Sequence, residues 1–397
     1  MQNKTGDDAT RVTCVILLDV CDLHQNSIQP HCFKCSTCHV VVGKMLPENE
    51  DKIKRFCNVL SQESRELYLT KKVSEVERSI SPLIFHREYV SKNLPLLIRG
   101  GVSQWPAIGK WNIPYFRETL GDKIVSVAVT PNGYADAIAV KELEDGTGKK
   151  EYFVMPEERL VPMSTFLDAL ESPTQGNVYY IQKQNSNFNE DFPELWSDAG
   201  TDISWATETF GKNPDAVNFW MGDQRAVTSM HKDPYENIYC VIAGEKEFVL
   251  HPPTDLPWIP YKNYPPANYR EIKPGEWLID PIITESTIDE FLEERNDFQL
   301  DFNVIPWISI DPLNPDYMRY PAYKNANTLR VTVCEGDVLY LPSLWFHHVT
   351  QSHACIAVNY WMGLAVFSRN NPYINEKINL RDRALFYATH RTSGTLR

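Results

Sequence analysis

From Ala216 onward the chain consists of short β-branched and aromatic segments separated by Gly and Pro, and this spacing constrains the fold more than any other feature. One set is Val217–Trp220, Ala226–Met230, Ile238–Ile242 and Glu247–His251; a second is Leu329–Cys334, Asp337–Leu341 and Ile356–Tyr360. Many short strands at close spacing predict a sandwich or barrel rather than a parallel sheet. Between the sets lies a Pro- and Tyr-rich insert, 252–328, expected to carry a helix over Thr287–Phe298 started by Ser286. Stretches this long on a β-scaffold serve as walls or lids.

Upstream, 57–212 reads as a mixture of helices and strands. A helical pattern covers Ser61–Arg78, closed by Pro82, and an extended run covers Leu94–Arg99. Short helices follow at Pro114–Leu120, ended by Gly121, and at Ser164–Leu170. A third covers Asp202–Phe210, capped by Asp202 and stopped at Gly211. Residues 1–56 are Cys-rich with no sustained period, so they are expected to be poorly ordered, and 366–397 form a basic tail.

Hydrophobic residues make up 43% of the 397, enough for a sizeable core. The net charge of −13, from 52 acidic and 39 basic residues, argues against nonspecific attraction to nucleic acid or anionic lipid and suits a cationic partner. Of nine cysteines, six lie in the first 57 residues; the other three, Cys240, Cys334 and Cys355, make no disulfide framework in the body. Val15–Leu18 is too short to span a bilayer and Asp19 breaks it. The expectation is a soluble protein of the cytoplasm, with the nucleus as a further compartment.

Two segments carry candidate chemistry. In Thr228–Asp233, extended backbone projects residues i and i+2 to one face, so His231 and Asp233 can reach a single ion. In Glu335–His348 a glycine turn launches a strand, Pro342 ends it, and His347 and His348 follow. Two imidazoles and one carboxylate leave octahedral positions open on one side, as non-haem iron(II) requires for a cosubstrate and dioxygen. An isolated H-x-D is common by chance; its conjunction with a downstream G-x5-P-x4-H is not. Adjacent residues in extended chain face opposite ways, so only one of His347 and His348 can ligate, and spacing alone does not choose.

Lys246 follows the Ala243-Gly244-Glu245 turn. Buried and unpaired beside Phe248, it would be costly unless a small-molecule carboxylate met it; in a Glu-Lys-Glu run it could equally sit on the surface. Alternation puts Asn237, Tyr239 and Val241 on one face, and Asn359 in an apolar strand needs an amide partner.

At these residues the sequence resembles the Jumonji-C (JmjC) oxygenases, and within them the branch with peptidase and (3S)-lysyl hydroxylase activity. The resemblance rests on Val178–Asn187, Asp215–Trp220, Tyr235–Cys240, Gly244–Lys246, His251–Pro253 and Leu339–His348, with Gln104–Ala107 and Ala128–Asp136 upstream. It implies a double-stranded β-helix (jelly-roll or cupin-like) core over 213–365, with Fe(II) on His231, Asp233 and His347. It further implies that Lys246, helped by Thr228 and Tyr180, meets the distal carboxylate of 2-oxoglutarate, with Asn237 and Asn359 lining that site. The implied reaction is lysyl hydroxylation with O2 of a GTP-binding protein of the developmentally regulated class. Methyl-lysine demethylation, endopeptidase action on histone tails and a non-catalytic scaffold are the competing readings. The family's dimerising acidic tail is replaced here by the divergent Met362–Arg369, so the implied homodimer lacks its usual support. Pro30–Cys38 is similar to the middle of a LIM-type zinc finger, but Gln29 stands where that finger has a His and no C-x-x-C precedes it, so no closed zinc site is expected.

Overall fold

A computed structural model describes residues 33–35, 38–40, 47–143, 146, 148–173, 176–184, 186–282 and 304–363. Eight strands make the core: β1 Ala216–Gly222, β2 Val227–Lys232, β3 Glu236–Ala243, β4 Glu245–His251, β5 Leu329–Cys334, β6 Val338–Leu341, β7 Phe346–Gln351 and β8 Cys355–Met362. They divide between two antiparallel sheets in the orders β6-β3-β8-β1 and β5-β4-β7-β2. This is the double-stranded β-helix.

Strand alternation explains the layers. Ile238, Cys240 and Ile242 of β3 face outward onto a cluster with Phe116, Phe166 and Val358, whereas Tyr239 and Val241 face inward with Phe248 and Leu250 of the opposite sheet. Each fully buried side chain of this kind stabilises the fold by about 1.5–3 kcal/mol. The turn from β3 to β4 needs Gly244, whose φ of +77° is unfavourable for other residues and whose missing Cβ leaves room for the Ser352 hydroxyl.

The β6-β3-β8-β1 sheet is extended by upstream strands to nine. Leu96–Arg99 and Ser74–Glu77 add beyond β6; Val178–Ile181, Ile124–Thr130 and Glu157–Pro162 add beyond β1. Tyr134–Ala135 pairs parallel with β2 on the other sheet. Helices Ile113–Leu120, Met163–Glu171 and Ser204–Phe210 add buried residues to the outer cluster.

Two expectations are corrected. The first long helix runs over Pro47–Leu67, entering the segment expected to lack order, rather than over Ser61–Arg78. Val73 is instead buried in the inner cluster and Val76 lies in a strand, because Ser74–Glu77 finds a parallel partner in Leu96–Arg99. The helix is seated on the insert: the Ser61 hydroxyl bonds buried Asp255 at 3.4 Å and accepts from Trp258 Nε1 at 3.3 Å. Asp202 does not cap its helix; Ile203 holds that position, and the Asp202 carboxylate accepts from the Thr207 hydroxyl. The described part of the insert carries four strands, Tyr261–Tyr264, Pro266–Lys273, Glu276–Pro281 and Ile305–Ile308, and two 3-10 helices, Pro253–Trp258 and Pro321–Asn325. The expected helix over Thr287–Phe298 and the 366–397 tail lie outside the described residues, as does most of 1–46 apart from a short hairpin, Phe33–Cys35 with Cys38–Val40.

Candidate active site

The pairing of β2 with β7 assembles the site. His231 stands directly opposite His347, with ring centroids 4.1 Å apart. Asp233, just past the end of β2, places Oδ2 3.4 Å from His231 Nε2 and 3.6 Å from His347 Nε2. The three donor atoms lie within 4.8 Å of one another. His231 Nδ1 meets the Ser229 carbonyl at 2.8 Å, and His347 Nδ1 meets the Trp345 carbonyl at 3.0 Å. A carbonyl only accepts, so each Nδ1 carries the proton and each Nε2 lone pair is free for an ion.

Burial and the neighbouring His231 push the His347 imidazole down to about 4. Burial also opposes charge on His231, but the Asp233 carboxylate outweighs it and holds that imidazole above its ordinary value. A carboxylate between two imidazoles with fixed lone pairs is the donor set of a divalent transition metal with open coordination positions, and these residues fit iron(II).

A bulge in β2 matters as much as the ligands. Thr228 pairs with Val349 and His231 with His347, so three steps on β2 match two on β7. Strict alternation would send Thr228 and His231 to opposite faces; the extra residue lets both line one cavity. His348 points the other way. It is buried, both ring nitrogens lack a hydrogen-bond partner, and burial pushes it down to about 4. Geometry thus separates the two adjacent histidines that spacing left open.

The cavity, about 400 Å³ including its open mouth, is walled by Thr228, Asn237, Tyr239, Asn359 and Trp220 besides the triad. Asn359 donates to Asn237 Oδ1 at 3.0 Å and accepts from Trp220 Nε1 at 2.7 Å, which supplies the amide partner its burial demands. Lys246 is 1% exposed, flanked by outward-facing Glu245 and Glu247, so the surface alternative fails. It is not unpaired, however. Its ammonium donates to Gln351 Oε1 at 2.5 Å and to the Tyr180 hydroxyl at 3.1 Å, and lies 5.7 Å from the Tyr239 ring centre. Lys246 and Tyr180 are not in the cavity wall itself; Tyr239 borders both the wall and the lysine.

Gln351 was missed from the sequence. Its even spacing from His347 along one strand was the available signal. Gln351 Nε2 also donates to the Asp223 carbonyl at 2.9 Å, and Gly222 closes the group: a Cβ there would meet both the Tyr180 ring and the Gln351 amide.

Trp307, on the insert strand Ile305–Ile308, had no sequence signal. Its ring stacks on His231, centroids 5.6 Å apart and planes within 4°, and its Nε1 donates to the Ser229 hydroxyl at 2.9 Å. That hydroxyl in turn donates to the Asp136 carbonyl at 2.7 Å.

Residues 82–363 match the family described as Cupin-like domain. The chain is 47% identical over 299 residues to the human bifunctional peptidase and (3S)-lysyl hydroxylase JMJD7, spanning 75% of this chain and 86% of that protein. It is 37% identical to the lysine-specific demethylase JMJ32 of Arabidopsis thaliana, covering 76% and 85% of the two chains. To the JmjC domain-containing protein E of Dictyostelium discoideum it is 33% identical, covering 81% and 91%. With the double-stranded β-helix and the His-Asp-His cluster already in place, these matches make the chain a member of the cupin-like JmjC oxygenases, a family dependent on Fe(II) and 2-oxoglutarate.

Proposed function

We propose that this chain is a protein lysyl hydroxylase, acting on a GTP-binding protein of the developmentally regulated class in the cytoplasm or nucleus. The observation that carries the reading is the convergence of His231, Asp233 and His347 at one end of a cavity whose other end adjoins a buried lysine. When bound there, iron and its cosubstrate supply the oxidising power, as 2-oxoglutarate and O2 yield succinate and carbon dioxide while one oxygen enters a C–H bond.

The protein's part is positioning. His231 and His347 present fixed lone pairs, and Asp233 supplies the negative charge. Lys246, with the Tyr180 and Thr228 hydroxyls, would hold the distal carboxylate of 2-oxoglutarate, its ammonium shared with the Gln351 oxygen. Asn237 and Asn359 form a rigid amide wall, while Trp220, Tyr239 and Phe248 keep water out. No side-chain acid or base is needed.

Incubating the full chain with Fe(II), 2-oxoglutarate and such a GTPase should add one oxygen to a lysine and release an equal amount of succinate. Failure of the iron-loaded protein to turn over 2-oxoglutarate with any lysine substrate sinks the reading, and failure to bind iron would favour a scaffold. The similarity to JMJ32, named a demethylase, supports a second reading, which formaldehyde release from methyl-lysine would favour. The name of JMJD7 includes a peptidase, which fragment masses after incubation would detect. Among the described residues, burial raises the Cys240 and Cys355 thiols and makes them poor nucleophiles.

A further inference from the structure

The segment Ala128–Asp136 ends on a carboxylate that the reading above leaves without a task. Its placement is heavily constrained. Val227 N–H donates to the Gly133 carbonyl at 2.9 Å, Tyr134–Ala135 pairs in parallel with Val227–Thr228, and the Ser229 hydroxyl grips the Asp136 carbonyl at 2.7 Å. Asp136 is held at φ +51°, in the left-handed region that few residues other than Gly, Asn and Asp tolerate. The same Ser229 bonds His231 through its carbonyl and Trp307 through its hydroxyl. Asp136 therefore stands at a fixed place beside the metal strand.

The carboxylate itself is under-used. It is half-buried, and its one hydrogen bond among the described residues is a long one, 3.3 Å from Gln182 Nε2. No described Lys or Arg pairs with it, although nearly every other buried carboxylate of the body has a cation or several donors. Along the next stretch the side chains alternate. Gln182 lies on Asp136, Lys183 on Asp191, and Gln184 in the cavity wall; Asp136 itself is outside the wall, tied to the metal strand through Ser229. Burial lifts the Asp136 carboxyl to about 6, the neighbouring His231 opposes that lift, and the exposed Glu158 adds to it.

We propose that Asp136 is the specificity residue that seats the ammonium of the substrate lysine, holding the side chain beside His231. This rests on the lysyl hydroxylase reading and adds the group that distinguishes lysine from an uncharged chain of equal length. The lysine nitrogen lies about 5 Å beyond C3 along an extended side chain, so its seat belongs to one side of the ligands, not among them. A half-buried carboxylate lacking a cation gains most from one delivered by the substrate.

The test uses the full chain and two probes: pooled nonapeptides with a central lysine in mixed flanks, and the same pool with norleucine. Asp136→Asn keeps the size and the tolerance of positive φ while removing the charge; Asp136→Glu restores charge. Anisotropy of labelled pools on metal-free protein should show lysine-pool affinity falling roughly 10-fold in Asp136→Asn, with norleucine-pool affinity unchanged and partial recovery in Asp136→Glu. Equal loss for both pools, or no loss for either, overturns the assignment. Oxygen addition by the iron-loaded wild type is read in parallel. If the lysine pool is oxidised while Asp136→Asn discriminates like wild type, only Asp136 is misassigned; if neither pool is oxidised, the hydroxylase reading falls and takes this inference with it.

Discussion

The lysine end of the cavity is fully buried and the metal end partly so, and the two are prepared in opposite ways. At the metal end a carboxylate sits between two imidazoles whose lone pairs have no acceptable partner in the protein beyond a proton. At the lysine end the ammonium already has Gln351 and Tyr180 as neutral acceptors, and lacks only a counter-charge. The first end needs a ligand to be comfortable; the second is stable without one. A metal should therefore stabilise the folded state strongly by mass action, and the cosubstrate more weakly.

The largest effect that could break this contrast is at the metal end. His347→Ala should abolish turnover and remove the rise in melting temperature on adding Mn(II), whereas His348→Ala should keep that rise while lowering stability by about 1–3 kcal/mol, the cavity left behind outweighing relief of two unpartnered ring nitrogens. Calorimetry of both variants checks this, and the reverse pattern would reassign the ligand. Next in size, Lys246→Met should weaken 2-oxoglutarate binding roughly 10–100-fold, read by titration calorimetry, and leave Mn(II) affinity unchanged.

Gly222→Ala sharpens the comparison by pressing on the lysine end while leaving the metal ligands untouched. The new Cβ must displace the Tyr180 ring and the Gln351 amide, so stability should drop by about 1–3 kcal/mol and cosubstrate affinity should fall several-fold in the same assays. The smallest effect at any one step, read per pH unit, is a control behind the sheet. Burial pushes His251 down to about 3, while its hydroxyl partner Tyr323 stays 2.8 Å away. Its folded value lies below the ordinary 6.5, so the unfolded chain takes up the proton first. Stability should then fall as pH drops from 6.5 towards 3, by about 1 kcal/mol per pH unit from this group. Acid titrations of urea midpoints should show that slope with and without metal, and His251→Asn should flatten it.

Much of the core was legible in the sequence because alternation is a local property. The β3 residues Asn237, Tyr239 and Val241 share a face, and the i, i+2 relation of His231 and Asp233 follows from the same rule. Register was not legible. Nothing local says that β2 carries a bulge, that His231 meets His347, or that the Gln351 amide meets Lys246, because each depends on a strand more than a hundred residues away. The insert was hardest: Pro266–Asn268 pairs with Phe153–Met155, so its strands are fixed by a distant partner rather than by their own pattern.

The stacking of Trp307 on His231 carries a consequence for any exchange of parts between relatives. Because the insert places an aromatic face against a ligand ring, swapping 252–328 for another protein's version would retune the reactive centre even with every ligand left in place. Chimeras that share a ligand set would then differ in how firmly the imidazole is braced, and diversity in this family can arise from a segment that never touches the ion.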